Sequence, residues 1–302
     1  MERYQDLYWW SRDNIRLHAR DYAPAEAGNA GQRPPILCLP GLTRNARDFE
    51  TLAPRLAAQG WRVLAIDLRG RGESGYARDP MTYVPLTYVQ DVEALLEMLG
   101  VPAYVAFGTS LGGIVAMLLA GAARERLAGA LLNDVGPEIE PAGLQRIRGY
   151  VGRSSSWPTW VHAARALGEA NGSVYPAYGL TDWIAMAKRL YRVNSAGRIV
   201  LDYDMKIAEP FRLPGNEAGP DMWRALDRLQ GVPVAIVRGA LSDILSEATA
   251  QRMAAALPEA DLATVPRVGH TPLLDEPEAV AAIERLLARV EAETERMAAL
   301  AS

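Results

Sequence analysis

The sequence predicts an α/β fold, a mostly parallel β-sheet covered by helices on both faces. Short apolar runs recur at residues 36–39, 61–66, 103–107, 128–132, 234–237 and 262–265. Segments of helical spacing or Gly-rich loops separate them. The runs are continuous rather than alternating, the pattern of strands buried on both faces.

Residues 4–11 and 15–22 read as two strands joined by the turn-like Arg12-Asp13-Asn14, and 23–35, rich in Ala, Gly and Pro, as a loop. The strand at 36–39 ends in Pro40-Gly41. Helical spacing over 48–59 stops at Gly60, and the strand at 61–66 leads into a Gly/Arg-rich loop, 67–74. An amphipathic helix over 86–99 ends at Gly100. The strand at 103–107 runs almost directly into a helix from Leu111, and 128–132 is the next strand. After Asn133-Asp134-Val135-Gly136-Pro137 the alternation breaks. Residues 136–221 read as an irregular helical insertion rich in Trp and Tyr. The alternation then resumes with a strand at 234–237, an Ala-rich helix at 249–256, a strand at 262–265 and a final helix from Pro277. The expected division is therefore a core of residues 1–135 and 222–302, interrupted by an insertion of 136–221.

The 302 residues are 49% hydrophobic and 23% charged, enough to bury a sizeable core. A net charge of -4 without a Lys/Arg-rich block argues against a nucleic-acid partner. A single cysteine, Cys38, allows no internal disulfide framework, so a reduced, cytoplasmic setting is expected. The N-terminus has no basic flank followed by an apolar core. The longest apolar stretch, 111–123, falls short of the roughly 20 residues of a membrane helix. No membrane partner is expected.

The strongest chemical signal is Gly108-Thr109-Ser110-Leu111-Gly112, a G-x-S-x-G between a strand and a helix. A sharp strand-to-helix turn needs small residues on both sides of the serine. It holds the hydroxyl exposed and aims a helix N-terminus at developing negative charge. Ser110 is the candidate nucleophile. A serine needs a base, and the chain has three histidines. His18 falls in a strand and His162 in the insertion, whereas His270, in Val268-Gly269-His270-Thr271-Pro272, follows a late strand on a loop. His270 is the candidate base. For the acid that orients it, Asp243 follows the strand at 234–237 and precedes His270 in the order Ser, Asp, His. Asp134, just past the preceding strand, is its rival. Backbone amides of Leu111 and Leu42 are the candidate oxyanion donors. Arg44 and Arg47, beside that loop, could steer an anionic substrate, although a solvated surface is the simpler reading. Three dispersed histidines make no metal site, and no cofactor is expected.

These pieces resemble the α/β-hydrolase superfamily over nearly the whole chain: Leu39-Pro40-Gly41-Leu42, Asp67-Leu68-Arg69-Gly70-Arg71-Gly72-Glu73-Ser74, the turn at Ser110, Asp243 and Gly269-His270. The similarity is to the group of esterases, lactonases, carbon–carbon bond hydrolases and cofactor-free haloperoxidases. It implies the α/β-hydrolase fold, with an eight-stranded sheet and a helical cap inserted after the sixth strand. Where the family commonly carries His-Gly, this chain has Pro40-Gly41, which leaves the backbone donor in place. Ser110 argues against the dehalogenase and epoxide-hydrolase relatives, whose nucleophile is an aspartate.

The expected activity is cleavage of a carboxylic ester or lactone of a small, apolar or aromatic substrate through an acyl-enzyme. Carbon–carbon cleavage of a vinylogous diketone, cofactor-free perhydrolysis, and a non-catalytic small-molecule receptor are the alternatives. Trp157, Trp160, Tyr178, Trp183 and Met186 are the candidate substrate contacts. The competing reading of these side chains is a core belonging to the cap itself.

Overall fold

A computed structural model describes residues 4–25, 33–212 and 221–301. The expected loop over 23–35 falls largely outside them, as do residues 213–220 near the end of the insertion. Among the described residues the main sheet has eight strands. They are β1 (Gln5–Trp10), β2 (Arg16–Tyr22), β3 (Ile36–Leu39), β4 (Val63–Asp67), β5 (Tyr104–Thr109), β6 (Leu127–Asn133), β10 (Val234–Gly239) and β11 (Asp261–Val265). Their order is β1-β2-β4-β3-β5-β6-β10-β11. β2 runs antiparallel to both neighbours, and every pair from β4 to β11 is parallel.

The continuous apolar runs are explained by two cores. In β3, Ile36 and Cys38 face one core while Leu37 and Leu39 face the other. The period-two pleat therefore asks for an apolar residue at every position. Helices α1 (Leu52–Ala58) and α9 (Pro277–Ala301) cover the Ile36 face. Helices α2 (Pro85–Met98), α3 (Leu111–Ala122), α7 (Met222–Asp227) and α8 (Glu247–Ala256) cover the other. The helix expected over 48–59 is split into a 3₁₀ turn, Ala46–Phe49, and α1. Pro54 accounts for the split: it lacks an amide and fits only the first turn of a helix.

Between β6 and β10 lie α4 (Pro141–Tyr150), α5 (Trp160–Asn171) and α6 (Leu180–Leu190). A small antiparallel sheet accompanies them, β7 (Ser156–Trp157), β8 (Tyr191–Val193) and β9 (Ile199–Leu201), ordered β7-β9-β8. The reading of 136–221 as an irregular helical insertion did not include these strands. β8 and β9 form a hairpin whose turn is closed by Asn194, its Oδ1 accepting from the amides of Ala196 and Arg198, and by Gly197 at a φ of 72°. An aromatic cluster holds α5 to α6. Tyr175 and Tyr178 stack at 4.7 Å, and the Trp183 ring meets Tyr178 edge-on at 5.1 Å. Gly168 lets the helices approach, since a Cβ there would lie 3.1 Å from the Trp183 indole.

The loop after β4 is built around buried polar groups. The Asp67 carboxylate accepts from the amides of Ala46 and Glu73 and bonds His18 Nδ1 at 2.6 Å. His18 Nε2 meets Asp6 at 2.9 Å. Arg69, fully buried, pairs with Asp91 and Asp13.

Two predictions follow from this packing. Trp183→Ala removes a nearly buried indole from the α5–α6 cluster, and should lower stability by about 3–5 kcal/mol in denaturant unfolding. Burial opposes the charged His18 ring, but Asp67 and Asp6 outweigh it and raise its pKa above the ordinary 6.5. The folded state then binds this proton more tightly than the unfolded chain. The resulting stability is fully present below pH 6.5 and is lost as pH rises through the raised value. His18→Gln should flatten that falling limb of the stability–pH curve.

Candidate active site

Ser110 occupies the turn between β5 and α3 with φ 52° and ψ -116°. A non-glycine residue in that region costs about 1–3 kcal/mol, which only tightly packed surroundings sustain. Here the neighbours are glycines. A Cβ on Gly108 would run into the backbone of Gly112 and Gly113, and one on Gly112 into the carbonyl of Leu39. The Ser110 amide bonds the Asn133 carbonyl at 2.9 Å, continuing the β5–β6 ladder one residue into the turn.

His270 Nε2 lies 2.9 Å from Ser110 Oγ, and His270 Nδ1 lies 2.7 Å from Asp134 Oδ2. Asp134 is fully buried and sits at φ 56° directly after β6. Its amide bonds the Val237 carbonyl at 2.7 Å, while Oδ1 accepts from the Gly239 amide and Oδ2 from Ser242 Oγ. Asp134, not Asp243, is thus the partner of His270. Asp243 instead forms a two-pronged ion pair with Arg146 of α4, at 2.6 and 2.7 Å. That guanidinium holds the Asp243 carboxyl below the ordinary carboxylate range. The preference for Asp243 fails because the chain order Ser, Asp, His is met by both aspartates. Position at the strand end decides between them. The remaining histidines lie elsewhere, His18 with Asp67 and His162 bonded to Thr159 at an exposed site.

The loop bearing His270 is clamped from two sides. From the sheet, Asn133 Nδ2 donates to the Pro272 carbonyl at 2.9 Å. From the inserted segment, Tyr175 Oη donates to the Thr271 carbonyl at 2.7 Å, and the Gly269 amide donates to Val174 at 2.8 Å. Leu111 is the first residue of α3, where amides have no intrahelical acceptor. Leu42 lies on the loop after β3, next to Gly41, where a Cβ would sit 3.7 Å from that of Ser110. Buried Arg71 braces this loop, its Nε donating to the Leu42 carbonyl at 2.9 Å.

A cavity of about 480 Å³ opens over Ser110 and His270. Trp157 and Met186 line it. Trp160, Tyr178 and Trp183 do not; they pack in the cluster within the inserted segment, so for these three the reading as substrate contacts is corrected. The aromatic walls come from Tyr150, Tyr175, Tyr191 and Tyr203, with Trp157 stacked on Tyr191 at 4.7 Å. Periodicity gave no means of telling these tyrosines from the others. Arg44 also lines the cavity, paired with Asp48 at 2.6 Å, whereas Arg47 turns to Asp202 and the Arg189 carbonyl. Among the described residues no helix is long and apolar enough to cross a membrane, and no group of three or more His, Cys, Asp or Glu is placed to hold a metal ion.

Comparison with known proteins agrees with this architecture. Residues 36–283 match the alpha/beta hydrolase family. A 3-hydroxybutyrate-oligomer hydrolase of Cupriavidus necator is 34% identical over 272 residues, 88% of this chain and 91% of that one. An esterase of Mycobacterium tuberculosis is 26% identical over 265 residues, 84% of this chain and 83% of its own. The crystal structure of an alpha/beta hydrolase from Novosphingobium aromaticivorans superposes with a TM-score of 0.89 at 56% identity, covering 96% of this chain and 99% of that one. The strand order, the turn at Ser110 and these matches together establish that the chain belongs to the alpha/beta hydrolase family.

Proposed function

We propose that the protein is a serine hydrolase of carboxylic esters, with Ser110 as nucleophile, His270 as general base and Asp134 as the acid that orients it. The observation that carries this reading is the hydrogen-bonded chain from Ser110 Oγ through the imidazole to a buried carboxylate, at 2.9 and 2.7 Å. With Asp134 accepting from Nδ1, Nε2 is left unprotonated to take the serine proton. Ser110 Oγ attacks the ester carbonyl, and the amides of Leu111 and Leu42 receive the oxyanion. His270 then protonates the leaving alcohol and activates water to release the acid. The tyrosine-rich wall and the segment over 136–221 act as a cap that shapes the pocket for a small substrate. One relative named as an esterase and one named as a 3-hydroxybutyrate-oligomer hydrolase support an ester over the other bonds this fold can cut.

Ser110→Ala and His270→Ala should each abolish nearly all turnover of short-chain nitrophenyl esters, and the double variant should be little worse than either alone. Asp134→Asn should cost on the order of 10⁴ in kcat. Asp243→Asn, which breaks only the Arg146 pair, should cost less than about tenfold by the same comparison. Steady-state kinetics on purified variants checks this. A near wild-type rate for Asp134→Asn would remove it from the mechanism.

A further inference from the structure

The charge lining the cavity is one-sided. Arg44, Arg146 and Arg153 open onto it, and no Asp, Glu or Lys does among the described residues. The carboxylates that hold two of these arginines, Asp48 and Asp243, lie outside the lining. Asp48 takes only Nε of Arg44, leaving both Nη groups without a hydrogen bond among the described residues. Asp243 takes Nε and one Nη of Arg146. Arg153, two residues past the Val151 that caps α4, makes no side-chain ion pair or hydrogen bond among the described residues. Arg44 stands beside the nucleophile, since its Cγ would lie 3.2 Å from a Cβ on Gly41. Arg44 and Arg146 share the cavity wall with Tyr150 and Tyr175. Two positioned cations and one unpaired cation around a chamber lined by no carboxylate make a receptor for an anion, because planar guanidinium donors match a carboxylate in geometry and charge.

We propose that the substrate is an ester carrying a free carboxylate, which Arg153 binds at the rim of the cavity with Arg44 and Arg146 supplying the surrounding positive field. This rests on the ester-hydrolase reading and adds to it the charge of the substrate. Two kinds of ester present this chemistry. In a half-ester of a dicarboxylic acid the carboxylate is on the acyl side, and in an oligoester of a hydroxy acid it can be on the leaving-alcohol side.

The test uses two matched pairs: mono-nitrophenyl glutarate against its carboxamide, and 3-acetoxybutanoate against its carboxamide. A charge-assisted hydrogen-bonded pair in such a site corresponds to about a 10- to 100-fold preference in kcat/KM for the carboxylate member. A preference in the first pair assigns the acyl side, and one in the second the alcohol side. Arg153→Gln should erase the preference, and Arg153→Lys should restore part of it. Calorimetry on Ser110→Ala reads binding of the same four compounds without turnover. Equal turnover of both members of each pair overturns the anion site and leaves the hydrolase reading standing. Absence of turnover, with binding of the carboxylate members that Arg153→Gln abolishes in the Ser110→Ala background, does the reverse. Neither turnover nor carboxylate-selective binding overturns both.

Discussion

The arrangement depends on one buried carboxylate. Asp134 is fully enclosed at the end of β6, where an unpaired charge would cost several kcal/mol. Every contact that makes it tolerable also places part of the site. The Gly239 amide brings in the end of β10, Ser242 the loop beyond it, and His270 the loop after β11. Ser242 Oγ in turn accepts from the amides of Ile244 and Leu245, so the hydroxyl that helps satisfy Asp134 also shapes the start of the path to α8. Three groups lying 105, 108 and 136 positions along the chain from Asp134 converge on its two oxygen atoms.

A second polar knot performs the same service at the other side of Ser110. Asp67 gathers the amides of Ala46 and Glu73 and the ring of His18, and the Gly/Arg loop that it anchors delivers Arg71 to the Leu42 carbonyl. The glycines and arginines of this loop are the mortar beneath the turn after β3. The arginine side chains turn inward, Arg69 to two carboxylates and Arg71 to the carbonyls of Leu42 and Arg69 and to Tyr88.

The sheet, its order of strands and helices, and the meeting of Ser110 with His270 were legible in the sequence because each leaves a local mark: continuous apolar runs, a serine between spaced glycines, and a chain so poor in histidine that few pairings exist. The carboxylate that meets His270 was not legible. Asp134 and Asp243 both follow strands, and what separates them is long-range. Arg146 lies about a hundred positions from Asp243, and the Val237 carbonyl that takes the Asp134 amide belongs to another strand. The hairpin of β8 and β9 did have a signature, β-branched residues on either side of Asn194 and Gly197, which the helical spacing around it obscured. Which aromatic residues reach the pocket depends on long-range packing, Tyr175 both lining it and stacking in the cluster, and composition is blind to that.

The clamp on the His270 loop has a bearing on how such a protein can diversify. Tyr175 holds the Thr271 carbonyl and also stacks within the aromatic cluster that joins α5 to α6. A substitution that reshapes this corner for a new ligand therefore disturbs, in the same stroke, thermal tolerance and the aim of the imidazole. On the opposite wall, Trp157 and Leu201 have no such tie to the His270 loop among the described residues, while Tyr203 bridges to Arg71. Changes at Trp157 and Leu201 leave the clamp on Thr271 intact, whereas a change at Tyr175 has to be compensated.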